Sequence, residues 1–281
     1  MKKRVLLTGI ILFLVVAAGI VVVRFRKPQH TSQTNNSDTY EYYYNNEDED
    51  EEDSLLPENL DSILADNETV PLDTIPSSTT VLVNRKYLLP STYIPKNLVV
   101  PNVDFSFSYV NDKRKMRKIA ATALEKLFAA AEKKGIKLYG VSGYRSYARQ
   151  KEIYDRNVAT RGKAATDAVS AMPGSSEHQT GLTIDVSAQS VSYRLDQSFG
   201  DTKEGKWLAK HCHEYGFIIR YPYDKEKITG YSYEPWHIRY VGTTVAAYLY
   251  KNNLTLEEYY GVTLKDMEDS SKAETGVDVE D

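Results

Sequence analysis

The chain of 281 residues is poor in cysteine, with Cys212 alone, and poor in histidine, with five. It also has no surplus of positive charge, at a formal net charge of −4. A single thiol excludes an internal disulfide, so a domain on the oxidising side of a membrane must be held by its core alone, as is ordinary at this size. Cys212 lies in Trp207-Leu208-Ala209-Lys210-His211-Cys212-His213-Glu214-Tyr215, which reads as helix and makes it a buried small hydrophobe. On a helix neither His211 nor His213 points the same way as Cys212, which removes the base that a thiol nucleophile needs. The two imidazoles do not face each other either, so they stay outside any candidate site, and His30 lies in a polar linker. No clustered basic face accompanies a nucleic-acid-binding motif, which argues against a nucleic-acid partner.

Charge is also missing from Val5 to Val23, between Lys2-Lys3-Arg4 and Arg24, Arg26 and Lys27. An apolar run of that length matches one helix crossing the hydrocarbon core. It is long for the core of a cleavable signal peptide, although Ala17-Ala18-Gly19 offers small residues of the kind a signal peptidase cuts. The reading is an uncleaved anchor occupying residues 1–27, and no cysteine follows the run to accept a lipid. Three basic residues flank each side, so the positive-inside rule gives no orientation. Residues 28–80 are polar and acidic, with Tyr42-Tyr43-Tyr44 and an acidic block from Glu47 to Asp53. Such a stretch buries too little apolar surface to fold and reads as a disordered spacer. Residues 266–281 form an acidic tail of the same kind. The folded part is expected at residues 81–265.

Within it, Val81 to Asn84 and Leu98 to Val100 read as short extended segments. A helical period starts at Lys113 and carries Met116, Ile119, Ala120, Ala123, Leu124, Leu127, Phe128 and Ala131 to a stop at Gly135. A brief strand at Leu138 to Val141 and a turn through Ser142-Gly143-Tyr144-Arg145-Ser146 lead into a second helix holding Gln150 and Tyr154. Leu182 to Ser187 alternates, with Leu182, Ile184 and Val186 on the core face and Asp185 on the other. Strands at Phe217 to Tyr221 and Trp236 to Val241 and a last helix at Val245 to Lys251 complete an α+β domain. The expectation is a small antiparallel sheet flanked by helices, with a metal on the sheet's open face.

The chemistry is concentrated in two segments, Ser176-Glu177-His178-Gln179-Thr180-Gly181-Leu182-Thr183-Ile184-Asp185 and Glu234-Pro235-Trp236-His237. They supply two imidazoles and two carboxylates. A catalytic zinc takes three protein ligands and leaves a fourth position to water, and neutral imidazole with carboxylate suits it. His178, Asp185 and His237 fit the three ligand positions, and Glu234 fits a base beside the open one. Gln150 and Ser176 are candidate hydrogen-bond partners of a bound peptide, and Trp236, adjacent to a ligand on a strand, is expected to pack in the core.

From roughly Leu82 to Leu254 the sequence resembles the zinc D-Ala-D-Ala carboxypeptidases of the VanY type, which include LD-carboxypeptidases that trim peptidoglycan tetrapeptides. The resemblance rests on Ser-Gly-Tyr-Arg-Ser at 142–146, Pro-Gly-Ser-Ser-Glu-His-Gln-Thr-Gly at 173–181 and Glu-Pro-Trp-His-Ile-Arg-Tyr-Val-Gly at 234–242, with no motif position missing. It implies zinc ligands at His178, Asp185 and His237, the general base at Glu234, and a substrate-binding, oxyanion-stabilising arginine at Arg145. It implies a peptidoglycan stem peptide as substrate and a catalytic domain outside the cytoplasm facing the wall, with the N-terminus inside. An anchor, a spacer and no lipid-accepting cysteine suit a Gram-positive cell. DD-carboxypeptidase or dipeptidase activity is the rival within enzymes, and a zinc-stabilised wall-peptide binding module the rival outside them. A free Glu234 argues against the module, because a structural zinc site is closed by a fourth protein ligand. Oligomeric state is not legible.

Overall fold

The computed structural model describes residues 70–167 and 170–263. The anchor, the spacer up to residue 69 and the acidic tail lie outside the described residues. Among the described residues no helix is long and apolar enough to cross a membrane. The elements run β1 (Leu98–Val99), β2 (Met116–Arg117), α1 (Lys118–Lys133), β3 (Tyr139–Ser142), α2 (Tyr147–Arg161) and α3 (Lys163–Asp167). They continue with β4 (Thr183–Ser187), α4 (Lys203–His211), β5 (Phe217–Ile219), α5 (Glu226–Thr229), β6 (His237–Tyr240), α6 (Thr243–Asn252) and α7 (Leu256–Tyr259). Strands β1 and β2 form a two-stranded pair, and a four-stranded antiparallel sheet has the order β3-β4-β6-β5.

Helix α1 buries Ala120, Ala121, Leu124, Leu127, Phe128 and Ala131, the face its periodicity specifies. These side chains meet Ile184, Val186 and Ile238 from the sheet and Leu208, Cys212 and Phe217, forming the main core. Full burial of each leucine or isoleucine contributes about 1.5–3 kcal/mol. The helix begins five residues later than its sequence period. Met116 and Arg117 are held extended by pairing with Val99 and Leu98, and Arg117 N–H donates to Gly181 C=O at 2.8 Å. Tertiary pairing thus overrides helical periodicity at residues 113–117.

The other face of the sheet is not open. Thr183, Asp185 and Ser187 on β4 are all buried, as are His237 and Arg239 on β6. Ile218, Leu82, Val241 and the apolar sides of α6 and α7 build a second core there. Val81 to Val83 are buried but belong to no strand. Residues 70–80, expected in the spacer, are folded onto the domain. Val70 joins the second core, Leu82 N–H donates to Asp73 C=O at 2.9 Å, and Thr80 Oγ1 donates to Asp73 Oδ2 at 2.6 Å. Helix α7 has no counterpart in the sequence reading, and it starts with a capping box between Thr255 and Glu258.

Candidate metal centre and active site

Strand register builds the centre. Asp185 on β4 is paired with Ser142 at the end of β3 on one side and with His237 on β6 on the other. An irregularity between Gly140 and Ser142 sets that register, as extra residues in one strand do. His178 reaches the same point from a 3-10 turn, Glu177–Thr180, which ends at Gly181 with φ +69°. A β-carbon at Gly181 would also meet Leu98 Cδ2 at 3.0 Å, so a residue without a side chain closes the turn.

The donor atoms of His178, Asp185 and His237 lie within 4.8 Å of one another, and all three residues are buried. His178 Nδ1 is 2.8 Å from Gly143 C=O. A carbonyl only accepts, so Nδ1 carries the proton and Nε2 is left bare toward Asp185 Oδ2 at 3.4 Å. Gly143 is fixed in turn: its N–H donates to Lys113 C=O at 2.6 Å, and a β-carbon there would sit 2.6 Å from Lys115 C=O. His237 Nδ1 is 3.2 Å from Asp185 Oδ1 and 3.6 Å from Glu234 Oε2. Asp185 Oδ1 is buried with no hydrogen bond beyond its ion-pair contact with His237 Nδ1, and Oδ2 faces His178 Nε2. A buried carboxylate set between two imidazoles is an environment a cation satisfies, and a set of two imidazoles and one carboxylate suits zinc.

Burial and the nearby Arg145 hold His178 down at about 3, so it is a neutral ligand at physiological pH. Burial opposes charge on His237 too, but the Asp185 and Glu177 carboxylates outweigh it and raise it to about 9. Burial raises Glu234 to about 7; His237 opposes this and Asp185 adds to it. A carboxylate near neutrality is suited to taking and returning a proton. Glu234 is placed by a turn, its N–H donating to Tyr221 C=O at 3.0 Å and its C=O accepting from His237 N–H at 3.1 Å.

Arg145 follows the β3 turn and projects beside the centre. Its Nη1 donates to Gln150 Oε1 at 2.9 Å and its Nη2 to Ser142 Oγ at 3.3 Å. Gln150 is buried, and its Nε2 donates to Ala171 C=O at 2.6 Å. One lone pair of Oε1 and one N–H of Nε2 are so engaged, and through the first of these Gln150 aims Arg145. Ser176 is buried at the start of the 177–180 turn, where its C=O accepts from Gln179 N–H. Trp236 packs against the main core. His211 stacks on Trp207 and lies 2.8 Å from Glu214 Oε1, while His213 stacks on Tyr250, both away from the centre.

The sequence reading assigned no role to Glu177, Arg220 or Arg239. Glu177 Oε1 accepts from Arg220 Nε at 2.8 Å and Arg239 Nη1 at 2.7 Å, with all three side chains fully buried. The two guanidiniums hold the Glu177 carboxyl well below the usual range against the opposing effect of burial. The available signal was an arginine directly after the apolar run Phe217–Ile219 and another within His237–Tyr240, because buried charge demands a partner.

The family model for VanY, D-alanyl-D-alanine carboxypeptidase, matches residues 113–243. The protein YodJ of Bacillus subtilis (strain 168) is 51% identical over 191 residues, 67% of this chain and 70% of YodJ. The solved structure of the LdcB LD-carboxypeptidase, which concerns peptidoglycan recognition, is similar with a TM-score of 0.65 at 50% identity, covering 67% of this chain and 88% of that one. A mutant of the vancomycin-resistance D,D-pentapeptidase VanY from a VanB-type cassette, in complex with Zn(II), is similar with a TM-score of 0.52 at 35% identity, covering 64% and 98%. The fold and the site therefore define a carboxypeptidase-type enzyme. The chain belongs to the VanY family of D-alanyl-D-alanine carboxypeptidases.

Proposed function

We propose that this chain is a zinc-dependent carboxypeptidase that removes the C-terminal D-Ala from peptidoglycan stem peptides, with tetrapeptides as substrate. The observation that carries the reading is the convergence of His178 Nε2, Asp185 and His237 Nδ1 beside Glu234 Oε2. The greater similarity to the LdcB LD-carboxypeptidase than to the D,D-pentapeptidase VanY supports the LD choice. The complex of the latter with Zn(II) supports the choice of metal. A stem peptide is an extracytoplasmic substrate, so the catalytic domain works outside the membrane, carried by the N-terminal anchor and the acidic spacer.

Zinc, held by His178, Asp185 and His237, would supply Lewis acidity to the scissile carbonyl and to a water. Glu234 takes the water's proton at Oε2 as the water attacks and returns it to the leaving amine of the terminal D-Ala. Arg145, pre-aimed by Gln150 and Ser142, offers a planar pair of N–H donors to the substrate carboxylate or developing oxyanion. The test is metal content by elemental mass spectrometry of the full-length protein and of His237→Ala. One zinc per wild-type chain and none in the variant is the expected pair. A variant that is fully metallated would mean the ligand set is wrong.

A further inference from the structure

His237 has a second nitrogen, and what faces it is a charge. Its Nε2 is buried with no hydrogen-bond partner, and Glu177 Oε2 stands 3.6 Å away. That spacing is an ion-pair distance, longer than a hydrogen bond, and no other group is bonded to Nε2. Glu177 cannot move aside. Its other oxygen is clamped by Arg220 and Arg239, and Thr183 Oγ1 lies 3.4 Å from Oε2. Arg220 is in turn held two-pronged by Glu257, at 2.7 and 2.6 Å, and Arg239 Nη2 donates to the carbonyls of Thr79 and Val81. Two carboxylates and two guanidiniums thus form a buried set with no net charge, running from helix α7 and residues 79–81 to the rear of His237.

Resting on the zinc reading above, we infer that Glu177 is the positioning residue of the centre. Its carboxylate accepts Nε2–H of His237, which fixes the tautomer with Nδ1 bare and turned toward His178 and Asp185. An imidazole whose distal N–H meets a carboxylate is a stronger ligand held in one orientation. Glu177 adjoins His178 in the chain and faces His237 in space, so one side chain couples the two ligand segments. Glu257 touches Arg220 but not His237, so its part is structural.

The experiment compares full-length wild type, Glu177→Gln and Glu257→Gln. Zinc affinity is measured by competition with a chromophoric chelator, the Co(II) absorption spectrum reports the ligand field, and melting temperature reports the fold. For Glu177→Gln the expected result is zinc affinity lower by roughly 10- to 100-fold with a shifted Co(II) band. For Glu257→Gln it is a lower melting temperature with unchanged affinity of the folded protein. Nitrogen-15 NMR of zinc-loaded wild type, which needs no variant, is expected to show His237 protonated at Nε2 with that proton protected from exchange. Wild type that binds zinc while Glu177→Gln binds it equally tightly would overturn the inference alone, as would metal at Nε2. Wild type that takes up no zinc would bring down the zinc reading, and the inference with it.

Discussion

Asp185 and His237 stand opposite each other in register on β4 and β6, with His237 Nδ1 3.2 Å from Asp185 Oδ1. Directly opposed residues on one sheet face bring their side chains together without a special loop. The same alternation that sends Ile184 and Ile238 into the main core turns Asp185 and His237 to the other face. The rigid core therefore sets the spacing of two of the three donors.

Glu234→Gln removes the proton acceptor but leaves His178, Asp185 and His237 in place. Zinc content should be retained while kcat falls on the order of 10²- to 10⁴-fold. Turnover within a few-fold of wild type, measured by release of D-Ala, would remove Glu234 as the base.

Arg145→Lys keeps the charge and loses the planar fork that Gln150 and Ser142 hold. We expect kcat/KM to fall roughly 10²-fold or more, as for loss of an oxyanion donor, with melting temperature little changed. Equal activity of the lysine variant would show that charge alone suffices.

Zinc binding should release a proton. In the metal-free protein His237 is raised to about 9, so near pH 7.5 it is protonated, whereas a ligand nitrogen must be bare. The sign follows: apparent affinity falls as pH falls below 9, roughly tenfold per unit for one proton. Calorimetry of zinc binding at pH 7.5 in buffers of different ionisation heat should give release of about one proton per site. Release of none would contradict the charge state assigned to His237.

Gly205 lies in the first turn of α4, where a β-carbon would fall 2.0 Å from Phe199 O and 2.8 Å from Phe199 C. Both are backbone atoms and cannot swing away. Gly205→Ala should destabilise on the order of 3 kcal/mol, as overpacking does, read as a drop in the denaturant midpoint. An unchanged midpoint would mean the α4 approach is looser than described.

Much of this was legible in the sequence because periodicity and motif spacing are local signals. The faces of α1 and β4 follow from 3.6- and 2-residue periods, and residues 178, 185, 234 and 237 follow from the types of side chain at those spacings. What was not legible is what long-range pairing decides. Helix α1 starts late because residues 116–117 pair with β1, and Val81 to Val83 look like a strand but find no strand partner. The sheet face that carries Asp185 and His237 reads as open because nothing local reveals that residues 70–82 and α7 cover it. The bond from Arg145 to Gln150, five residues later, has no local signal because it depends on the turn before α2. Glu177 and its arginines were missed for the same reason: their partners are 43 and 62 residues away.

The measurement that tests the central claim most directly is mass spectrometry of muropeptide tetrapeptide and pentapeptide incubated with the purified full-length protein, with and without a zinc chelator. The account predicts loss of one D-Ala from the tetrapeptide alone, abolished by the chelator and restored by added zinc. Loss from the pentapeptide in its place would move the activity to the DD class. No loss from either by zinc-loaded protein would contradict the carboxypeptidase account.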